Sequence, residues 1–75
     1  MKNQEAMKNF GTHLRKLREE KKLSQQKLAD MANIHKSTIH SIENARYAVT
    51  LDVLVSIALA IEVPITTITD FKIEK

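Results

Sequence analysis

The sequence predicts an all-α fold, a compact arrangement of five helices, on three observations. Apolar residues recur at three- and four-residue spacing, and hydroxyl residues stand where helices would begin. One Gly, one Pro and no internal repeat or low-complexity stretch leave a chain that reads as helices joined by short turns. With 75 residues it is read as one domain, 1–75, whose modest core is marginal unless a second copy adds to it.

Phe10, Leu14 and Leu17 fall at i, i+4 and i+7, with Arg15, Lys16, Arg18, Glu19 and Glu20 between them. That stripe predicts a first amphipathic helix over residues 5–21. Ser24 is placed to cap a second, short helix running from Gln25 to Ala32, and Asn33, tolerant of a left-handed backbone, ends it. Ile34 is an isolated apolar residue in the turn. From His35 to Asn44 only Ile39 and Ile42 are large and apolar, so the third helix buries a narrow stripe and turns Lys36, Ser37, Thr38, His40, Ser41, Glu43 and Asn44 outward. Thr50 caps a fourth helix, Leu51 to Ile61, with Leu51, Leu54, Ile57, Ala58 and Ile61 assigned to the core side. Pro64 stops it. Residues 65–70 suit one more short helix, and 71–75 carry no assignment.

Net charge is +3, unevenly spread: residues 1–46 carry ten Lys/Arg against five Asp/Glu, and residues 47–75 two against four. A polyanion would gather at the first half, although Lys-rich helices also have ordinary solvated faces. With no cysteine, neither disulfides nor thiolate metal sites supplement the core, which fits a reducing cytoplasm. The apolar stretch Val53 to Ile61 is too short to span a bilayer, and no secretory signal is evident. A soluble cytoplasmic protein is expected.

The informative constellation is Gln25, Leu28, Ala29, Asn33, Ile34, Ile39, Ile42 and Glu43. Two short helices crossing steeply need a small residue where they approach, Ala29, and a turn residue at ease with positive φ, Asn33. Ile34, Ile39 and Ile42 then fasten the second helix of the pair to the core. A helix held in this way projects its amino end, and an α-helix fits the major groove of B-DNA. Residues 24–44 are read as this helix-turn-helix.

With the flanking Leu14/Leu17 and Leu51/Leu54/Ala58 helices, residues Phe10 to Phe71 resemble the lambda-repressor-like helix-turn-helix family of phage repressors, Cro proteins and restriction-modification controller proteins. The resemblance implies a five-helix DNA-binding domain whose third helix reads bases. Lys36, Ser37 and Ser41 match base-contacting positions, with His40 adjacent on the same face. Gln25 matches a phosphate-contacting position that also braces the reading side chains, and Asn44 and Arg46 match the phosphate-binding loop. His35 and Thr38 are added to the backbone contacts. Arg18 and Glu43 match a structural ion pair, against the alternative of two ordinary exposed charges.

The departures are also informative. Where many relatives have Gly at helix ends, this chain has Lys22, Asn33 and Ala45, so the turns at Lys22 and Ala45 are expected to be built differently to avoid a positive-φ penalty. His35 stands in place of a hydroxyl cap, either donating to phosphate or idle at the surface.

Val53, Val55 and Leu59 add apolar surface to a fourth helix whose core side is already supplied. With Ile65, Ile68 and Phe71 this exceeds what so small a domain hides, so Val55, Leu59, Ile65, Ile68 and Phe71 are expected to form a homodimer interface within a dimerisation region 53–71. The alternative is that several of them complete the core. His13, His35 and His40 lack metal-site spacing, and no nucleophile–base arrangement is evident, so no metal, cofactor, small-molecule ligand or enzymatic activity is expected. The resulting expectation is a sequence-specific regulator binding a palindromic operator in double-stranded DNA as a homodimer, too short for an effector domain. The competing expectation is an antitoxin-like module whose partner is another protein.

Overall fold

A computed structural model describes residues 3–71 as five α-helices: α1 (Gln4–Glu20), α2 (Gln25–Ala32), α3 (Lys36–Glu43), α4 (Leu51–Ala60) and α5 (Ile65–Ile68). Helix starts follow the capping residues. Asn3 accepts from the Ala6 N–H, Ser24 from Lys27 and Thr50 from Val53, each satisfying one donor that a helix start leaves orphaned. α3 packs on α1 and α2, α4 covers α2, and α5 closes the bundle against α1 and α4. Leu14, Leu28, Ile39, Ile42, Ile57 and Ile68 are the large, fully buried side chains at the centre. Each contributes about 1.5–3 kcal/mol through burial.

α1 through α4 all end in the same way. Lys22, Asn33, Ala45 and Glu62 adopt left-handed backbones, with φ of 59°, 58°, 58° and 58°. In each turn, the residue after the left-handed one donates its N–H back across the helix end: Leu23 to Arg18, Ile34 to Ala29, Arg46 to Ser41 and Val63 to Ala58, at 2.8–3.1 Å. The turns at Lys22 and Ala45 are therefore not built differently; they accept the backbone penalty. What offsets it in three of the four is the following apolar residue, since Leu23, Ile34 and Val63 all pack against the core.

The chain's single glycine answers a demand at a different place. A Cβ on Gly11 would lie 2.4 Å from the Ile42 carbonyl oxygen and 3.0 Å from that of Glu43, so the backbone of α1 reaches α3 only because position 11 has no side chain. Ala29, the small residue of α2, is completely buried.

The assignment of faces on α4 needs correction. Leu51, expected in the core, is 72% exposed. Its Cα–Cβ bond leans toward the helix start and carries the side chain past the end of the core. Val53, expected on the outer flank, packs against the core instead. Ile68 is 0% exposed and so cannot belong to a dimer interface. Phe71 is partly buried, its ring packed 5.7 Å from that of Phe10 and 6.1 Å from the His13 imidazole. The reason is that α5 spans only four residues and must be anchored: Ile68 plugs the core, and His13 Nε2 donates to the Thr67 carbonyl at 2.8 Å.

Two substitutions test the backbone account by denaturant unfolding. Gly11→Ala should lower stability by about 1–3 kcal/mol through forced separation of α1 and α3. Lys22→Gly should raise it by about 0.5–1 kcal/mol by relieving the left-handed strain, less the entropy glycine adds to the unfolded chain.

Candidate nucleic-acid interface

The outward face of α3 is polar because the inward face is used up. Ile39, Ile42 and Glu43 are buried, while Lys36, Ser37 and His40 are exposed and Ser41 and Thr38 half-buried. The expected base-reading side chains thus share one face of one helix. His35 stands at the N-cap of α3 without a side-chain capping hydrogen bond, and its imidazole is exposed.

What holds this face in place is the carboxylate of Glu43, whose side chain is wholly buried. Arg18 Nε donates to Oε2 at 2.7 Å and Arg18 Nη2 to Oε1 at 3.0 Å, a two-point contact. Gln25 Nε2 donates to Oε1 at 3.1 Å and Arg15 Nε to the same oxygen at 3.3 Å. Arg18 is completed by a third bond, Nη1 to the Leu23 carbonyl at 2.7 Å. One carboxylate on α3 therefore gathers donors from α1 and from the first residue of α2. Arg15 was missing from the expected set; its i, i+3 spacing from Arg18 is the signal that places both on one side of α1. Gln25 braces Glu43, a contact that the expectation for it did not include.

The electrostatics follow from this geometry. Burial pushes the Glu43 carboxyl up, but hydrogen bonds from Arg18 and Gln25, the Arg18 charge and the Arg15 hydrogen bond outweigh it, leaving the group below its ordinary value. The Arg18 guanidinium is raised, chiefly by its hydrogen bond to Glu43, against a smaller lowering by burial.

The loop after α3 is pinned as well. Asn44 Nδ2 donates to the His40 carbonyl at 2.7 Å, folding back over the helix end, and Gln4 Nε2 donates to the Ala45 carbonyl at 3.1 Å. Arg46 occupies the position filled by Leu23, Ile34 and Val63 in the other turns, yet it is exposed, with its N–H tied to Ser41. A turn that elsewhere buries an aliphatic side chain here presents a cation. Lys36, Arg46 and the half-exposed Arg15 are cations flanking the polar face of α3.

Little else in the structure invites chemistry. An apolar groove of about 390 Å³ between Met7, Phe10, Tyr47, Val49, Leu54 and Phe71 is lined by no carboxylate, imidazole or thiol. Among the described residues no helix is long and apolar enough to cross a membrane, and no group of His, Cys, Asp or Glu is placed to hold a metal.

A family model described as helix-turn-helix matches residues 14–68. Among solved structures the chain is similar to the restriction-modification controller protein C.AhdI from Aeromonas hydrophila, at 29% identity and a TM-score of 0.81 over 83% of this chain and 94% of that one. It is also similar in fold to an HTH_3-family transcriptional regulator from Vibrio cholerae, at 21% identity and a TM-score of 0.85, covering 89% of this chain and 38% of that one. The clp gene regulator ClgR from Corynebacterium glutamicum gives 21% identity and a TM-score of 0.78, covering 84% and 67%. No curated protein matches the chain in sequence.

Two measurements test the frame. Since the Glu43 carboxyl sits below its unfolded value of about 4.3 when folded, its ionised form stabilises the fold above that pH, and the contribution disappears as pH falls through the lowered folded value. Glu43→Gln should therefore flatten the acid limb of a stability–pH curve below about pH 4.3. Arg18→Ala should cost about 3–5 kcal/mol at neutral pH, because it leaves a buried carboxylate short of its main partner.

Proposed function

The chain belongs to the helix-turn-helix family, and from that premise we propose that it is a cytoplasmic transcriptional regulator that binds a palindromic operator in double-stranded DNA as a homodimer. The observation that carries this reading is the division of α3 into a buried stripe that fixes it and an outward face of Lys36, Ser37, His40 and Ser41 that the fold does not consume. These four read base edges in the major groove: Lys36 donates to guanine O6 or N7, and the hydroxyls and imidazole serve donors and acceptors of either kind. Gln25, His35, Thr38, Asn44 and Arg46 contact the phosphate backbone and set register without reading sequence. Similarity to a restriction-modification controller protein supports regulation through protein concentration and operator occupancy.

The dimer is carried by α4 rather than by the chain end. Leu51, Val55 and Leu59, at i, i+4 and i+8, are 72%, 38% and 73% exposed and form one apolar strip, with Ile65, 38% exposed, beginning the next helix. A second copy of the chain covers this strip, and two reading helices set about 34 Å apart then reach successive major grooves. Ile68, fully buried in the core, takes no part in the interface, and Phe71 is partly buried against the core.

Selection of bound duplexes from a random pool should enrich a palindrome, and an unenriched pool would falsify the reading in favour of a protein partner. Lys36→Ala should relax preference at one base pair per half-site by about 1–3 kcal/mol. The double variant Leu51→Glu with Leu59→Glu should sediment as a folded monomer and lose most of its operator affinity, whereas an unchanged dimer would place the interface elsewhere.

A further inference from the structure

We propose that Arg15 is a phosphate-binding residue, held by Glu43 beside Gln25 so that the two side chains clamp one stretch of DNA backbone; this rests on the DNA-binding reading above. The argument begins with charge. Two guanidinium groups meet one carboxylate at Glu43, so the cluster keeps a surplus positive charge. Arg18 does not carry that surplus outward. Its Nε, Nη1 and Nη2 are all engaged, with Glu43 and the Leu23 carbonyl, and its side chain is only 11% exposed.

Arg15 differs in every respect. It touches Glu43 through Nε alone, at 3.3 Å, and its side chain is 48% exposed. A single contact so open to solvent adds little stability, so the fold does not require Arg15. What the contact does is orient. With Nε directed at the carboxylate, the planar guanidinium has both Nη groups left to offer a phosphate two parallel donors.

Its location suits that task. Arg15 and Gln25 both donate to Oε1 of Glu43, so the ends of the two side chains lie side by side. Glu43 is followed within three residues by Asn44 and Arg46, two more of the proposed backbone contacts. Arg15 therefore lies between the start of α2 and the loop after α3, where a backbone strand gripped at both would pass.

The test measures binding of the full chain to its selected operator and to a random duplex across salt concentrations, for the wild type, Arg15→Gln and Arg15→Lys, with a melting curve for each. Arg15→Gln keeps an N–H for Glu43 but removes the charge. The expected result is a slope of log affinity against log salt reduced by about 0.9 per protomer. Affinity should fall by the same factor on both duplexes, the melting temperature should hold, and Arg15→Lys should restore the slope. An unchanged slope in Arg15→Gln overturns the proposal, as does a loss confined to the operator, which would make Arg15 a base reader. A wild type whose binding is insensitive to salt overturns the DNA-binding reading and this proposal with it.

Discussion

The structure depends on one buried carboxylate. Glu43 ends α3, and a charge there, its side chain wholly buried, is sustained chiefly by the two-point contact from Arg18 and the donor from Gln25, with Arg15 adding a longer, more exposed contact. Those donors come from α1 and α2, so the need to satisfy one oxygen pair fixes where three helices meet. Aliphatic packing alone is non-directional and leaves the rotation of α3 to side-chain shape. A carboxylate with four donors at 2.7–3.3 Å does not, and the outward face of α3 inherits that precision.

Backbone contact works with the carboxylate. Gly11 lets α1 reach the carbonyls of Ile42 and Glu43, which brings Arg15 and Arg18, one and two turns further along α1, level with the end of α3. Beyond that end, Ala45 turns the chain through a left-handed residue and delivers Arg46 to solvent. Three features that look unrelated in sequence, a glycine in α1, a glutamate in α3 and an alanine after it, are parts of one joint.

Most of the fold was legible in the sequence, for reasons visible at particular residues. Ser24, Asn33 and Thr50 announce helix ends through local chemistry, and Ile39 with Ile42 among polar neighbours leaves one way to orient α3. The errors fall where local chemistry is uninformative. α4 is apolar on several sides at once, so periodicity could not separate Val53, which is packed, from Leu51, which is exposed. Ile68 and Phe71 looked surplus only because the anchoring needs of a four-residue helix appear in three dimensions and not in a hydrophobic pattern. The strained turns at Lys22 and Ala45 were misjudged for a related reason: the penalty is local, while the packing of Leu23 and the hydrogen bonds that offset it are tertiary. In the candidate site, Glu43 and Arg18 stood out by position, but the share of Arg15 in the same oxygen depends on how closely α1 approaches α3.

The frame and the reading face are therefore physically separable. Ile39, Ile42 and Glu43 are buried, the two isoleucines in the core and Glu43 in the ion-pair joint. Lys36, Ser37 and His40 have no such commitment; they are exposed, and the helix needs from them only that they tolerate helical backbone. Folding thus constrains one side of α3 and leaves the other free to vary. Proteins that share this frame are for that reason under no physical obligation to share a target. Similarity across the domain speaks to how the helix is presented, and not to the four outward side chains that the frame leaves free to differ.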